Sequence, residues 1–450
     1  MNIVIAGAGD VGCHLAKMLG GGGHDLTIID RDPARLATVS SLTDAVTIEG
    51  ETTSVEILKT ARVEDADLFI AVAPAEEQNK NIISALLAKQ LGAKIVTARI
   101  NNNEFMETDN NVLFKDLGID LLFYPERIAA GEIYDLLKQT GTNEYIEFAS
   151  GQLQMVGIRL DEGAPLIRKG LDYLFSEAEV TNYKVVAVGR DGATLIPKTE
   201  DFKFLEGDLV YIISTRDGLD EAMEYSGKNK IDINSLMIIG GGRICDTLLD
   251  RIGDGIGLIK VVENKEERCT WLAQKYPDAL IIQGDGRNTD LLIEENIREF
   301  DAVVAVTSSS ETNILACAAA KRLGVAKTIA EVENIEYIKL AEGMGVDAVI
   351  NKKLSTAGRI FRFTLSNKIR TVKCLNGTDA EVLEFIANPE SRITKGQIKD
   401  LNFPKEAIIG GIVRGNDCFI TGPSSTVNAY DRVVVFALPN VIDKVNKFFI

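Results

Sequence analysis

The residues best suited to chemistry stand at the start of the chain. Gly7-Ala8-Gly9-Asp10-Val11-Gly12 follows the apolar run Met1–Ala6, and Cys13–Leu19 continues at helical spacing. Strand, glycine turn and helix are the context in which G-x-G-x-x-G reads as a phosphate-binding loop. The first glycine turns the chain sharply, the second lets backbone approach a pyrophosphate, and the third lets the helix pack tightly on the strand. The helix N-terminus then presents unpaired N–H groups and the positive dipole end to phosphate. A purely structural glycine turn is the competing reading. Asp30 closes the next apolar run, Leu26–Ile29, at the spacing of a carboxylate that accepts hydrogen bonds from ribose hydroxyls. An acid there favours NAD over NADP, since a 2′-phosphate would meet like charge. A surface aspartate at a strand end is the alternative.

These residues need a sheet to hold them, and the chain supplies one. Helix Pro33–Ser40 and strand Ala45–Glu49 continue the alternation. Gly50-Glu51-Thr52-Thr53 opens helix Val55–Ala61, where Glu51 and Thr52 either contact a ligand or only cap the helix. Asp67–Val72 is nearly all apolar, as a strand covered on both faces should be, and ends at Ala73-Pro74 beside the expected nucleotide. Helix Asn81–Leu91, strand Ile95–Ile100, helix Asn103–Leu117 and strand Leu121–Tyr124 complete the set. Arg99, at a strand end, suits a phosphate ligand and a structural salt bridge equally. Pro125 opens helix Glu126–Lys138, with an apolar face of Ile128, Ile133, Leu136 and Leu137. That helix either packs on its own domain or forms an interface.

From about Asn143 the pattern changes to short strands, Tyr145–Phe148, Gln154–Arg159, Val185–Gly189 and Leu209–Ile213, with a helix over Leu166–Leu174. At Ser235 the first pattern restarts. Gly240-Gly241-Gly242-Arg243-Ile244-Cys245 repeats the loop at a shift of 233, and the same shift carries Asp30 onto Glu263. Gly50 finds Gly284, inside Gly284-Asp285-Gly286, and Asp67–Val72 finds Asp301–Val306. Lys352–Leu365 mirrors the helix from Glu126, and Arg370–Phe448 mirrors the small module. Registered self-similarity of this length is a domain duplication. The fold class is α/β: two Rossmann-like, doubly wound parallel-sheet domains over 1–140 and 231–368, each followed by a small α+β domain over 141–230 and 369–450.

Composition removes several function classes. A net charge of −17 disfavours nucleic acid and anionic lipid as partners. No apolar run reaches the ~18–20 residues that span a bilayer, and the first strand lacks the basic start of a signal peptide. Membrane work would therefore proceed through a docked partner. Cys13, Cys245, Cys269, Cys317, Cys374 and Cys418 form no C-x-x-C pair, and His14 and His24 are the only histidines. No metal-site spacing results, and buried free thiols are expected.

The two halves differ. Cys245 replaces the third glycine, Arg243 stands where the first half has Asp10, and Glu331 answers Arg99. An arginine at the loop mouth can pair with polyphosphate, whereas an aspartate would repel a γ-phosphate. The first half is expected to take NAD or NADH, and the second a different adenine nucleotide such as ATP or ADP, unless it is degenerate. Hydride transfer needs a positioned acid or base, and no Ser…Tyr-x-x-x-Lys arrangement is present. An NAD-dependent oxidoreductase with duplicated cofactor domains is the competing class, and a scaffold with vestigial pockets is a third.

The glycine loop with Asp30, Glu76–Asn81 leading into Ile82–Lys94, and the strand end Ala98-Arg99-Ile100 resemble the regulator-of-potassium-conductance (RCK) family over essentially the whole chain. The resemblance implies a cytosolic nucleotide-sensing subunit without catalytic residues. It would assemble as a homo-oligomeric ring, a tetramer, beneath an integral membrane potassium channel subunit. It implies that Gly7, Ala8, Gly9, Asp10, Val11, Asp30, Ala73, Pro74 and Arg99 line the first pocket. Gly240, Gly241, Gly242, Arg243, Ile244, Glu263, Thr307 and Ser308 would line the second.

Overall fold

Asn2–Ala6 is β-branched and apolar, and it becomes the central strand of the first sheet. The computed structural model describes residues 1–20, 23–169, 182–197, 202–361, 363, 369–375, 378 and 380–450. The end of the helix expected over Leu166–Leu174 and the last residues of Lys352–Leu365 lie outside them. The first domain runs β1 (Asn2–Ala6), α1 (Asp10–Gly20), β2 (Asp25–Asp30), α2 (Pro33–Leu42), β3 (Val46–Glu49), α3 (Val55–Thr60), β4 (Leu68–Ala71), α4 (Gln78–Leu91), β5 (Ile95–Arg99), α5 (Thr108–Asp116), β6 (Leu121–Phe123) and α6 (Pro125–Lys138). The parallel order is β3-β2-β1-β4-β5-β6, the doubly wound arrangement whose switch point lies between β1 and β4. The helix expected over Asn103–Leu117 is broken. Asn103–Met106 is a 3-10 turn, Glu107 is extended, and α5 begins at Thr108. Asn102 Oδ1 accepts from the Glu104 amide, and Asn110 Nδ2 donates to the Glu104 carbonyl, so local side chains take over the backbone partners.

The first small domain holds β7 (Glu144–Phe148), β8 (Leu153–Arg159), α7 (Pro165–Lys169), β9 (Tyr183–Arg190), β10 (Ala193–Leu195), β11 (Leu209–Thr215) and α8 (Leu219–Tyr225). Its antiparallel order is β10-β9-β11-β8-β7. The second parallel domain follows: β12 (Ser235–Ile239), α9 (Arg243–Ile252), β13 (Leu258–Glu263), α10 (Glu266–Lys275), β14 (Leu280–Gln283), α11 (Thr289–Glu294), β15 (Ala302–Ala305), α12 (Ser310–Arg322), β16 (Lys327–Glu331), α13 (Tyr337–Gly343), β17 (Ala348–Ile350) and α14 (Lys352–Phe361). The last domain carries β18 (Ile369–Cys374), β19 (Glu381–Ile386), β20 (Ala407–Arg414), β21 (Asp417–Ile420), β22 (Arg432–Ala437) and α15 (Ile442–Phe449). Strand orders β14-β13-β12-β15-β16-β17 and β18-β19-β22-β20-β21 repeat those of the first half.

The packing regroups these domains. One compact unit is Met1–Ile128 with Lys352–Leu365, and the other is Ala129–Asn351 with Ser366–Ile450. In the first unit, α14 lies against α1 and buries Thr356, Ala357, Ile360 and Phe361. In the second, Ile133, Leu136 and Leu137 of α6 share one core with Ile244 and Leu248 of α9 and with Val156 and Val210 of the small domain. The interface reading of α6 therefore holds. Each such side chain contributes about 1.5–3 kcal/mol by leaving water. The C-terminal end of α6 is closed by a buried charge. Lys327 Nζ, from β16, donates to the Thr140 carbonyl at 3.1 Å and to that of Thr142. A cation there pairs with two carbonyls of the turn that follows α6, while burial pushes the ammonium pKa down to about 8.

Candidate functional site

The first loop sits where β1 and β4 end. Gly7 has φ +118°, and a Cβ on it would stand 2.8 Å from the Ala73 amide nitrogen. A Cβ on Gly12 would lie 1.9 Å from the Gly7 carbonyl oxygen, so α1 approaches its strand more closely than a side chain there permits. Gly9 faces open space within 4 Å, leaving the loop's outer side free for a phosphate. Asp30 is buried. Its Oδ2 accepts from the Ala8 amide at 2.6 Å, and its Oδ1 from the Asp32 amide at 2.9 Å. The carboxylate thus fastens the glycine loop to the end of β2. Each oxygen keeps a lone pair for a ribose hydroxyl.

A cleft opens here, and Gly7, Asp30, Glu51, Thr52, Ala73 and Pro74 line it. Gly50 also lines it, and sequence reasoning missed the charged rim: Arg31, Arg35, Glu77 and Lys80. Arg31 pairs with Glu77 at 2.9 Å and Glu51 at 3.6 Å; Lys80 pairs with Glu51 at 3.2 Å and Glu77 at 3.3 Å. The four alternate in sign around a closed ring. Such partly exposed pairs are individually weak, so a ligand phosphate can take the two cations from the two glutamates. The run Glu76–Asn81 carried the sequence signal for this side of the cleft.

Arg99 takes the salt-bridge role that the sequence left open. Its guanidinium meets Glu126 at 3.6 Å in a largely buried pair, and it does not line the cleft. Between Arg99 and the cleft stands Asn81, buried and given no site role by the sequence reading. Its Oδ1 accepts from the Ala73 amide at 2.8 Å, and its Nδ2 donates to the Ala73 and Arg99 carbonyls, each at 3.1 Å. Asn313 repeats this clamp on Thr307 and on the Glu331 carbonyl.

The second loop keeps the framework and alters the surroundings. Gly240 has φ +103°, and a Cβ would stand 2.8 Å from the Thr307 amide nitrogen. Glu263 Oε2 accepts from the Gly241 amide at 2.7 Å and its Oε1 from the Lys265 amide at 2.9 Å, copying Asp30. Arg243 and Ser308 are exposed, and Ile244 is buried beneath the loop. The hydroxyl of Thr307 donates to Asn313 Oδ1 at 2.6 Å, so it serves the clamp before any ligand. Asp285 holds Arg287 at 2.7 Å, and that guanidinium keeps its carboxyl below the usual range. Arg268 adds a group the sequence did not single out. Its Nε donates to the Gly241 carbonyl at 2.5 Å, and its guanidinium lies 4.0 Å from the Trp271 ring centroid. Its counterpart one shift earlier, Arg35, lies on the rim of the first cleft.

Among the described residues no group of three or more His, Cys, Asp or Glu could hold a metal. Cys13, Cys245, Cys269, Cys317 and Cys418 are free. Burial pushes the Cys245 thiol far up and that of Cys317 to about 12, so neither is a nucleophile. No helix among the described residues is long and apolar enough to cross a membrane.

Known proteins share this organisation. The model of the TrkA-N domain matches residues 3–125 and again 236–352, and that of the TrkA-C domain matches residues 155–227. The Trk system potassium uptake protein TrkA homolog of Archaeoglobus fulgidus is 35% identical over 449 residues, covering 100% of both chains. The Trk system potassium uptake protein TrkA of Halomonas elongata is 30% identical over 448 residues, 99% of this chain and 96% of that one. Among solved structures, the GsuK RCK domain superposes with a TM-score of 0.60 at 16% identity, covering 99% of this chain and 94% of that one. The GsuK channel bound to NAD gives 0.59 at 17% identity, covering 99% and 78%. At these identities the structures speak for the fold.

Proposed function

Because the chain belongs to the TrkA family of Trk system potassium uptake proteins, we propose that it is the nucleotide-sensing regulatory subunit of such a system. It works in the cytoplasm, peripheral at the inner face of the membrane, and gates a TrkH-like integral membrane potassium channel. It regulates transport and catalyses no reaction. The first pocket binds NAD(H) through the glycine loop and Asp30, and the second binds ATP or ADP through Gly240 to Ile244 and Glu263. The observation that carries this reading is the repeated pairing of loop and carboxylate, Asp30 on Ala8 and Glu263 on Gly241. A nucleotide changes flux only by binding one conformation of the assembly more tightly than another. A coupling of about 1–3 kcal/mol is enough for regulation. The GsuK channel, which shares the fold, has been solved with NAD bound.

Four copies form the ring. The duplicated domains support this, since matching positions carry exposed apolar side chains: Ile83 and Leu315, Leu113 and Leu340, Leu117 and Met344. A repeated apolar face suits a repeated subunit contact.

Calorimetric titration of the full chain with NADH and with ATP, run beside an NADH-turnover assay, tests the function. Binding without turnover is expected. Asp30→Ala should weaken NADH about 10- to 150-fold, the worth of a hydrogen bond to a charged group. Unchanged NADH affinity would remove the first pocket from the proposal, and turnover with a carbonyl substrate would restore the oxidoreductase.

A further inference from the structure

The first glycine loop is completed from far along the chain. α14 packs on α1, and its second residue, Lys353, places Nζ 3.1 Å from Asp10 Oδ2. The lysine side chain is largely buried while that of the aspartate is 74% exposed. Asp10 is the first residue of α1 and follows Gly9 directly, at the spot where phosphate meets the helix N-terminus. The cation also bears on the next turn face, where it lowers the pKa of His14 after burial has done so.

The internal repeat supplies a comparison. In the second loop the position of Asp10 is Arg243, so a cation stands at that mouth within the loop itself. In the first loop the local residue is an anion, and the cation arrives from α14. Both mouths therefore carry positive charge, from different sources. The expectation that Asp10 repels a γ-phosphate counts only the loop's own residues and omits Lys353.

We propose that Lys353 is the polyphosphate-binding residue of the first nucleotide pocket, exchanging Asp10 for phosphate oxygens when a nucleotide enters. The ligand class is an adenine nucleotide with phosphate charge beyond a pyrophosphate diester, so the pocket admits ATP as well as NADH. The exchange places a ligand contact on α14, the segment that leads from the second parallel domain into the last small domain. This rests on the reading of the first loop as a nucleotide site.

The test is calorimetry on the full chain with ATP, ADP and NADH, the first pocket being the site lost in Asp30→Ala. At that pocket Lys353→Gln should weaken ATP by about 10- to 100-fold, ADP by less, and NADH by no more than about threefold, as expected for one charge-assisted contact. Lys353→Arg should restore ATP, and Asp10→Asn should tighten it by removing the competing carboxylate. A helix anchor behaves differently. Unchanged ATP affinity in Lys353→Gln, or equal losses for ATP and NADH that Lys353→Arg leaves unrestored, overturns the proposal while the nucleotide site stands. Wild-type protein that binds neither ligand at the first loop overturns both.

Discussion

At the scale of single residues, the carboxylates Asp30 and Glu263 do two things at once. One oxygen holds the glycine loop against the sheet, and the other accepts the backbone amide two residues on. His14 does the reverse, since it sits on α1 with its Nε2 buried and without a hydrogen-bond partner. Burial first, then Lys353 and Lys17, push its pKa below the ordinary value of 6.5. The unfolded chain therefore takes up a proton at His14 before the folded one does. Stability is intact above the ordinary value and falls as pH drops from there toward the depressed native value. Urea unfolding from about pH 7 down to about pH 5.5 should show the first unit losing stability, and His14→Gln should flatten that slope. Equal slopes in both proteins would mean that other groups carry the acid sensitivity. Asp30 and Glu263 were legible in the sequence because spacing along the chain marks them. Lys353 and Arg268 were not, because one arrives from a distant helix and the other is placed by the turn of α10 over the loop.

At the scale of elements, the least visible feature is the asparagine clamp. Asn81 and Asn313 each bind a strand end's amide and carbonyl and the neighbouring strand's last carbonyl. Removing such a side chain leaves several backbone groups unpaired in a buried place. Asn313→Ala should cost about 2–4 kcal/mol by chemical denaturation, as should Asn81→Ala, while the conservative change Asn110→Ser at a half-buried position should cost under about 1 kcal/mol. A loss below about 1 kcal/mol for either clamp would show that solvent replaces the amide. The two parallel sheets were readable throughout, because strands buried on both faces are continuous apolar runs and the glycine loops mark their order. The registered pair Asp67 and Asp301 was visible as repetition, and the structure explains it. Each carboxylate accepts the backbone amides that start the central strand, Asn2 in one sheet and Asn234 and Ser235 in the other. The break before α5 escaped because side chains of Asn102 and Asn110 compete for backbone groups without disturbing the helical apolar spacing.

At the scale of the whole molecule, the four domains that the sequence lays out in line do not pack as four bodies. The first parallel domain takes α14, and α6 from Ala129 onward joins the core of the second unit. Sequence periodicity shows that both helices are amphipathic but cannot say which partner each face meets. The repeated exposed positions carry the prediction for assembly. Leu113→Lys with Leu340→Lys should lower the mass measured by light scattering from that of a ring to that of smaller species, with helix content unchanged by circular dichroism. A ring that persists would place the subunit contacts elsewhere. The exchanged helices also bear on how two such different loops came to share one chain. Two separate copies of a half-length chain would have to trade this helix with each other, and any change in one loop would appear in both. Fusing the copies keeps the trade and ends the compulsory sameness. Arg243 then stands at one mouth while Lys353 meets Asp10 at the other.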